Sequence, residues 1–264
     1  MNPAPEFHLF GSAHLVAILL TLTAPFVLAA WARRTRTNTL DRSVRIALAL
    51  MLTVNFIGYG IRACLSSSVT WQQTLPCQLC DWTMIVVIAA LLTSAGWPIG
   101  GTTSVSSIPA DGTEPVPPKA LPRALLEVAY FWGIGGSLQA VLTPNLPFGF
   151  PDYRFISFFV DHCGIVIGVT YLMVSRRFRP HLVSAWRALV WSEVYLAVTL
   201  AVDWITDVNY GFLLHKPEAF SILSYLSDWR PLYVMQLNLL ALFFFALLYA
   251  PFAIVDLVRR GRNR

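Results

Sequence analysis

Seven stretches of this chain stay apolar for long enough to cross a hydrocarbon layer, and that property governs how the rest can fold. They run approximately over residues 11–31, 43–63, 76–98, 121–143, 154–174, 185–206 and 230–257. About 20 helical residues cross the roughly 30 Å core of a bilayer. Inside that layer every backbone N–H and C=O must pair within the protein, which leaves helices or closed barrels. The period-two alternation of barrel strands is absent, so the expectation is all-α: a bundle of seven transmembrane helices, one integral membrane domain over residues 1–264. The charge content agrees, 12% against about a quarter in soluble domains.

Basic residues set the orientation. With the N-terminus outside, the inner side collects Arg33, Arg34, Arg36, Arg42, Arg45, Lys119, Arg123, Arg176, Arg177, Arg179, Arg187, Arg259, Arg260, Arg262 and Arg264, 15 of the 19 Lys and Arg. Arg62, Arg154, Lys216 and Arg230 remain outside. The expected topology is an extracytoplasmic N-terminus and a cytoplasmic C-terminus. The net charge of +5 then reports topology and implies no nucleic-acid partner. Trp31, Trp71, Trp97, Trp186, Trp204 and Trp229 fall near span ends, where indole suits the headgroup region. Residues 1–10 lack the basic flank of a signal peptide. The inner loop 100–120 is rich in Gly, Ser, Thr and Pro and reads as a flexible connection. The outer segment 216–229 reads as a short interfacial helix or a plain loop. Small residues four apart, Gly133 and Ser137, Gly136 and Ala140, Gly164 and Gly168, predict close packing of the fourth and fifth spans.

Polar groups inside spans are costly and face the interior. Here they gather in the outer half: His14 in the first span, Asn55, Tyr59 and Arg62 in the second, Cys80 and Asp81 in the third, Gln139 and Thr143 in the fourth, His162 in the fifth, Asp203 in the sixth, and Gln236 and Asn238 in the seventh. The inner half offers mainly Glu127, with Glu193 near the midplane. Scattered packing groups would not favour one leaflet. His14, Asn55, Arg62, Asp81, Gln139, Asp203 and Asn238 are therefore candidates for lining an outer pocket.

Two of these groups carry chemistry. Pro76 suits the first position of the third helix. That start places Cys77 and Cys80 three apart on one face, among free backbone N–H groups that favour a thiolate. His162 lies about eight residues into its span, roughly 12 Å deep. A thiol with a histidine beside it can run acyl transfer through a thioester, the histidine first taking the thiol proton and later returning it to the leaving group. The substrate such a pocket suits is a phospholipid or another acyl lipid. The plainer alternatives are a buried structural cysteine and a histidine that only joins helices. No Cys/His cluster has metal-ligand spacing, and the reaction needs no cofactor.

The chain resembles the YwaF-like family of bacterial integral membrane proteins and, more distantly, eukaryotic transmembrane protein 164. The resemblance rests on Phe10-Gly11-Ser12-Ala13-His14-Leu15, on Leu75-Pro76-Cys77-Gln78-Leu79-Cys80-Asp81-Trp82, on Glu127-Val128-Ala129-Tyr130-Phe131-Trp132-Gly133 and on Leu138-Gln139-Ala140-Val141-Leu142-Thr143-Pro144. It continues through 155–164 and through Asp203-Trp204 to Asn209-Tyr210-Gly211-Phe212-Leu213, which adds Asn209 to the pocket set. It implies a multi-pass protein of the bacterial cytoplasmic membrane, and a cysteine-dependent phospholipid acyltransferase with Cys80 carrying the acyl group and His162 as its partner. Gln78 stands where many relatives are expected to have histidine. Two rivals remain. The Cys77–Cys80 spacing is similar to that of DsbB-type membrane thiol oxidases, and a seven-helix receptor or transporter would use the same pocket without covalent chemistry.

Overall fold

The computed structural model describes residues 5–35, 38–66, 69–94, 120–218 and 221–262. Its elements are α1 (Ser12–Thr35), α2 (Asn38–Leu65), a 3-10 turn (Trp71–Thr74), α3 (Leu79–Thr93), α4 (Ala120–Trp132), a π-helical segment (Gly133–Ser137), α5 (Leu138–Leu142), α6 (Tyr153–Arg176), α7 (Leu182–Thr206), two further 3-10 turns (Tyr210–Phe212 and Ile222–Tyr225) and α8 (Arg230–Arg262). Seven helices are long and apolar enough to cross a membrane, with α4, the π segment and α5 forming one of them. This is a multi-pass integral membrane protein. The described residues contain no strand, only an isolated bridge between Glu6 and Phe148. Pro25 and Pro251 sit inside α1 and α8, as membrane helices tolerate.

The core is built around α6. Two thirds of its most apolar window, 67%, is buried, against 6% for α8, so α6 is central and α8 peripheral. It packs on α1, α2, α3 and the α4–α5 rod, and small residues permit the approach. A Cβ on Gly133 would lie 3.0 Å from Val169 Cγ2, and one on Gly168 would lie 3.2 Å from Val87 Cγ1. The close packing expected of the fourth and fifth spans is present and extends to α2 and α3. At Gly164 a Cβ would meet Leu52 Cδ2 at 2.8 Å and Met51 Cε at 2.9 Å. Leu52 is fully buried, so Gly164→Ala should cost about 1–3 kcal/mol. Thermal unfolding in detergent reads that loss, and an unchanged midpoint would contradict the packing.

One end of the bundle is locked by a buried ion network. Asp41 accepts from Arg45 Nε at 3.0 Å, from the Tyr171 hydroxyl at 2.8 Å and from Arg176. Arg45 donates onward to the Leu91 carbonyl of α3 at 2.6 Å, and Arg33 of α1 donates to the Val174 carbonyl. Glu127 joins α4 to α7 through Arg187 at 2.8 Å and also accepts from Arg123. The opposite end carries Cys80 and is termed the Cys80 end. There α6 opens on Asp152, whose carboxylate takes the Arg154 N–H at 2.8 Å and the Arg154 guanidinium at 2.9 Å. Those bonds pull Asp152 down to about 2, so the cap keeps its charge until the pH falls to that value.

Two features differ from the sequence reading. The third helix starts at Leu79 rather than at Pro76. Cys77 therefore lies ahead of it and shares no helix face with Cys80. The fourth span is interrupted by Gly133–Ser137, where Leu138 N–H reaches the Gly133 carbonyl five residues back. Three glycines in five residues weaken the ordinary ladder there. Segment 216–229, which reads as a short helix or a plain loop, holds among its described residues the 3-10 turn Ile222–Tyr225, with Lys216 bonded to the Leu226 carbonyl at 2.6 Å. The expected loop 100–120 falls, save for Ala120, outside the described residues, as do the span end 95–98, Arg36, Trp97, Lys119 and Arg264.

Candidate functional site

The turn before α3 is held from three sides, which explains why Cys77 is not helical. Tyr210 accepts from Leu75 N at 3.0 Å and donates to the Gln72 carbonyl. Burial pushes the Tyr210 phenol up, so it remains a donor. The Tyr195 hydroxyl of α7 donates to the Cys77 carbonyl at 3.2 Å. Gln78 Oε1 accepts from Gly211 N at 2.9 Å. Asp81 Oδ2 then accepts from Gln78 N at 2.9 Å, and with that bond the helix begins. Cys80 is its second residue.

The loop after α7 is shaped for this grip. Asp203 Oδ1 takes Tyr210 N at 2.8 Å, while Asn209 Oδ1 takes Leu214 N and His215 N at 2.9 and 3.0 Å. Gly211 has φ +60°, and a Cβ there would stand 2.4 Å from the Tyr195 hydroxyl oxygen. Both the backbone and the space require glycine. Gly211→Ala should displace Tyr195 and raise the rate at which a polar maleimide labels Cys77 severalfold. A labelling rate equal to that of the parent protein would contradict the clamp.

One packing contact and one electrostatic proximity relate α3 to α6. Cys80 is within electrostatic range of Asp161, and Gly168 packs on Val87. Both steps are seven residues in the same direction, so the helices run parallel and Cys80 shares a layer with Asp161 and His162. Asp161, seven before Gly168, lies on the stripe turned to α3. His162, three before Ile165 and seven before Val169, lies on the stripe that packs on Gly133 of the π segment. The two stripes are about 100° apart. Leu79 at the α3 start reaches the same π segment, 3.8 Å from a Cβ on Gly136.

His162 is buried, its ring stacked on Phe158 with centroids 4.1 Å apart. Nδ1 lies 2.8 Å from the Phe158 carbonyl. A carbonyl only accepts, so Nδ1 carries the proton and Nε2 carries the lone pair. Asp161 Oδ1 accepts from Asn55 Nδ2 at 2.7 Å, and that amide also reaches the Ser157 carbonyl and hydroxyl at 3.0 and 3.1 Å. Tyr59, Asp81 and Tyr195 complete the electrostatic surroundings of Cys80.

Residues 9–249 match the profile of the TMEM164 family. The chain belongs to that family. No curated protein and no solved structure gives a match. The part covered by the TMEM164 profile begins just before α1 and ends inside α8, so Cys80, Asp161, His162 and the loop after α7 lie within it.

The remaining candidates are placed as follows in this TMEM164-family chain. His14 uses both ring nitrogens, accepting from Phe10 N at 2.9 Å and donating to the Val141 carbonyl at 2.7 Å, and so joins α1 to α5. Arg62 lies over the Tyr153 ring, 4.7 Å from its centroid. Gln139 donates to Thr143 Oγ1 at 2.8 Å, and Asn238 to the Val234 carbonyl of its own helix at 3.2 Å. Cys80, Asp81 and Asn55 are thus gathered around Asp161, His162 lies at the same level on another face of α6, and Asp203 at the end of α7 and Asn209 in the following loop support the turn before α3. His14, Gln139 and Asn238 are engaged in local contacts. Asp161, Tyr195 and Tyr210 were missed as site residues. The spacing of seven between Cys80 and Val87 matches that between Asp161 and Gly168, but it singles out Asp161 only once Gly168 is seen to pack on Val87.

Proposed function

We propose that the protein is a lipid acyltransferase or acyl hydrolase that works through a thioester on Cys80, with His162 as general base and acid. The carrying observation is the His162 tautomer. An imidazole anchored through Nδ1 offers Nε2 to a thiol, and it does so in the layer that also holds Cys80. In this reading the two groups come together in the wedge between the α3 start, α6 and the π segment. Catalytic contacts are often long before substrate binds and close in the complex.

In the proposed reaction, Nε2 takes the Cys80 proton and the thiolate attacks the ester carbonyl carbon of a membrane lipid. The acyl C–O bond breaks, and the departing alkoxide receives that proton from His162. A second alcohol, or water, then attacks the thioester and releases Cys80. Charge on the carbonyl oxygen needs donors, and the free N–H groups at the α3 start are suited to supply them. The basic connections support a site facing the outer leaflet, and the likeness to YwaF-like proteins supports a bacterial cytoplasmic membrane.

Cys77 and Cys80 separate this reading from thiol oxidation. Incubation of the purified protein with a phospholipid radiolabelled in its acyl chain should label the parent and Cys77→Ser but not Cys80→Ser. Disulfide exchange needs both thiols, so equal loss of function in the two variants without acyl labelling would favour the oxidase.

A further inference from the structure

A groove of about 610 Å³ runs between α1, α2 and α6, and neither Cys80 nor His162 lines it. Its walls are Val16 and Leu20 of α1, Met51 of α2, and Ile156, Val160 and Cys163 of α6. The volume is that of a small-molecule site. A helix is 10–12 Å across, so a second helix along this length would need ~1,200 Å³ or more.

The groove has a charged rim. Arg62 lies eleven residues beyond Met51, which is three helical turns, so it stands on the same stripe of α2 and roughly 16 Å further towards the Cys80 end. On α6 the stripe of Ile156 and Val160 ends at Tyr153, the ring over which Arg62 stacks. A stacked guanidinium keeps its N–H edge for an oxyanion. The nearby Asp152 is gripped by Arg154 at 2.9 Å, so its charge is matched without Arg62.

We propose that this groove holds one acyl chain of a membrane glycerophospholipid whose phosphate rests against Arg62. Such a lipid lies along the helices with its chain at hydrocarbon depth and its headgroup at the span ends. The site stands apart from Cys80 and does not depend on acyl transfer.

The test uses the full-length protein in lipid nanodiscs containing phosphatidylcholine with a photoreactive diazirine on one acyl chain. Crosslinks should concentrate on Met51, Ile156 and Val160, at least tenfold above those on Leu242 and Leu247 of the exposed face of α8. Ala17→Phe, which fills the groove, should remove them while the α8 crosslinks stay, and Ile156→Trp should do the same if Ala17→Phe does not fold. Arg62→Gln should lower groove labelling severalfold with phosphatidylcholine and leave it unchanged with a diazirine diacylglycerol, which has no phosphate. Inorganic phosphate in excess should not compete. Labelling spread evenly over groove and α8 would overturn the site. Equal loss with both lipids in Arg62→Gln, or competition by free phosphate, would overturn the assignment of a lipid phosphate to Arg62.

Discussion

His162→Ala should slow acylation of Cys80 by roughly two to four orders of magnitude, the usual worth of a positioned general base. Single-turnover labelling with an acyl-labelled phospholipid measures it, with circular dichroism to show that the helices remain. Asp161→Asn is the informative companion. Its Oδ1 still accepts from Asn55, so the region stays ordered while the carboxylate charge beside Cys80 is lost. The expected effect is below tenfold. A profile in which Asp161→Asn is the crippled variant and His162→Ala is nearly normal would transfer the base role to Asp161, the carboxylate within electrostatic range of the thiol.

Asp41→Ala should be the most destabilising single change at the other end of the bundle. Asp41 is 3% exposed, and Arg45 and Arg176 are 3% and 2% exposed. Removing this carboxylate takes a counter-charge from two buried guanidiniums and frees the Tyr171 hydroxyl. Breaking such a buried pair costs roughly 3–5 kcal/mol. It should also loosen α3, because Arg45 reaches the Leu91 carbonyl only while Asp41 holds it in place. Unfolding midpoints in detergent give the cost. A loss within the scatter of surface mutants such as Arg154→Gln would show that the network is not holding the helices.

The seven spans were legible because hydrocarbon imposes a length and a polarity that few residues can hide. Their ends were less legible, because tertiary contacts decide them. Pro76 is a good helix-start residue, yet α3 begins at Leu79, since Tyr195 of α7 and Tyr210 and Gly211 of the loop after it, more than a hundred residues away, hold residues 75–78 out of the helix. The π segment was hidden for a related reason. Gly133, Gly135 and Gly136 announce close packing and equally permit an extra residue in the turn, and only the partner helix selects between them.

The site was legible in part. Periodicity within one span places residues on stripes but does not say which neighbour each stripe meets. His162 and Asp161 differ by about 100° around α6, and their neighbours follow from which helix each glycine of α6 and the π segment packs against. His14 shows the same limit from the other side. It is a buried ionisable residue in a span and reads as functional by that rule, while its two hydrogen bonds to Phe10 and Val141 occupy both nitrogens.

The most direct measurement of the central claim is the intact mass of the protein extracted from its native membrane, before and after neutral hydroxylamine. The account predicts a fraction carrying one acyl-sized increment that hydroxylamine removes, with the modified peptide containing Cys80 and the increment absent from Cys80→Ser. A Cys80 peptide that is always unmodified while lipid turnover proceeds, or a mass short by two hydrogens from a Cys77–Cys80 disulfide, would contradict it.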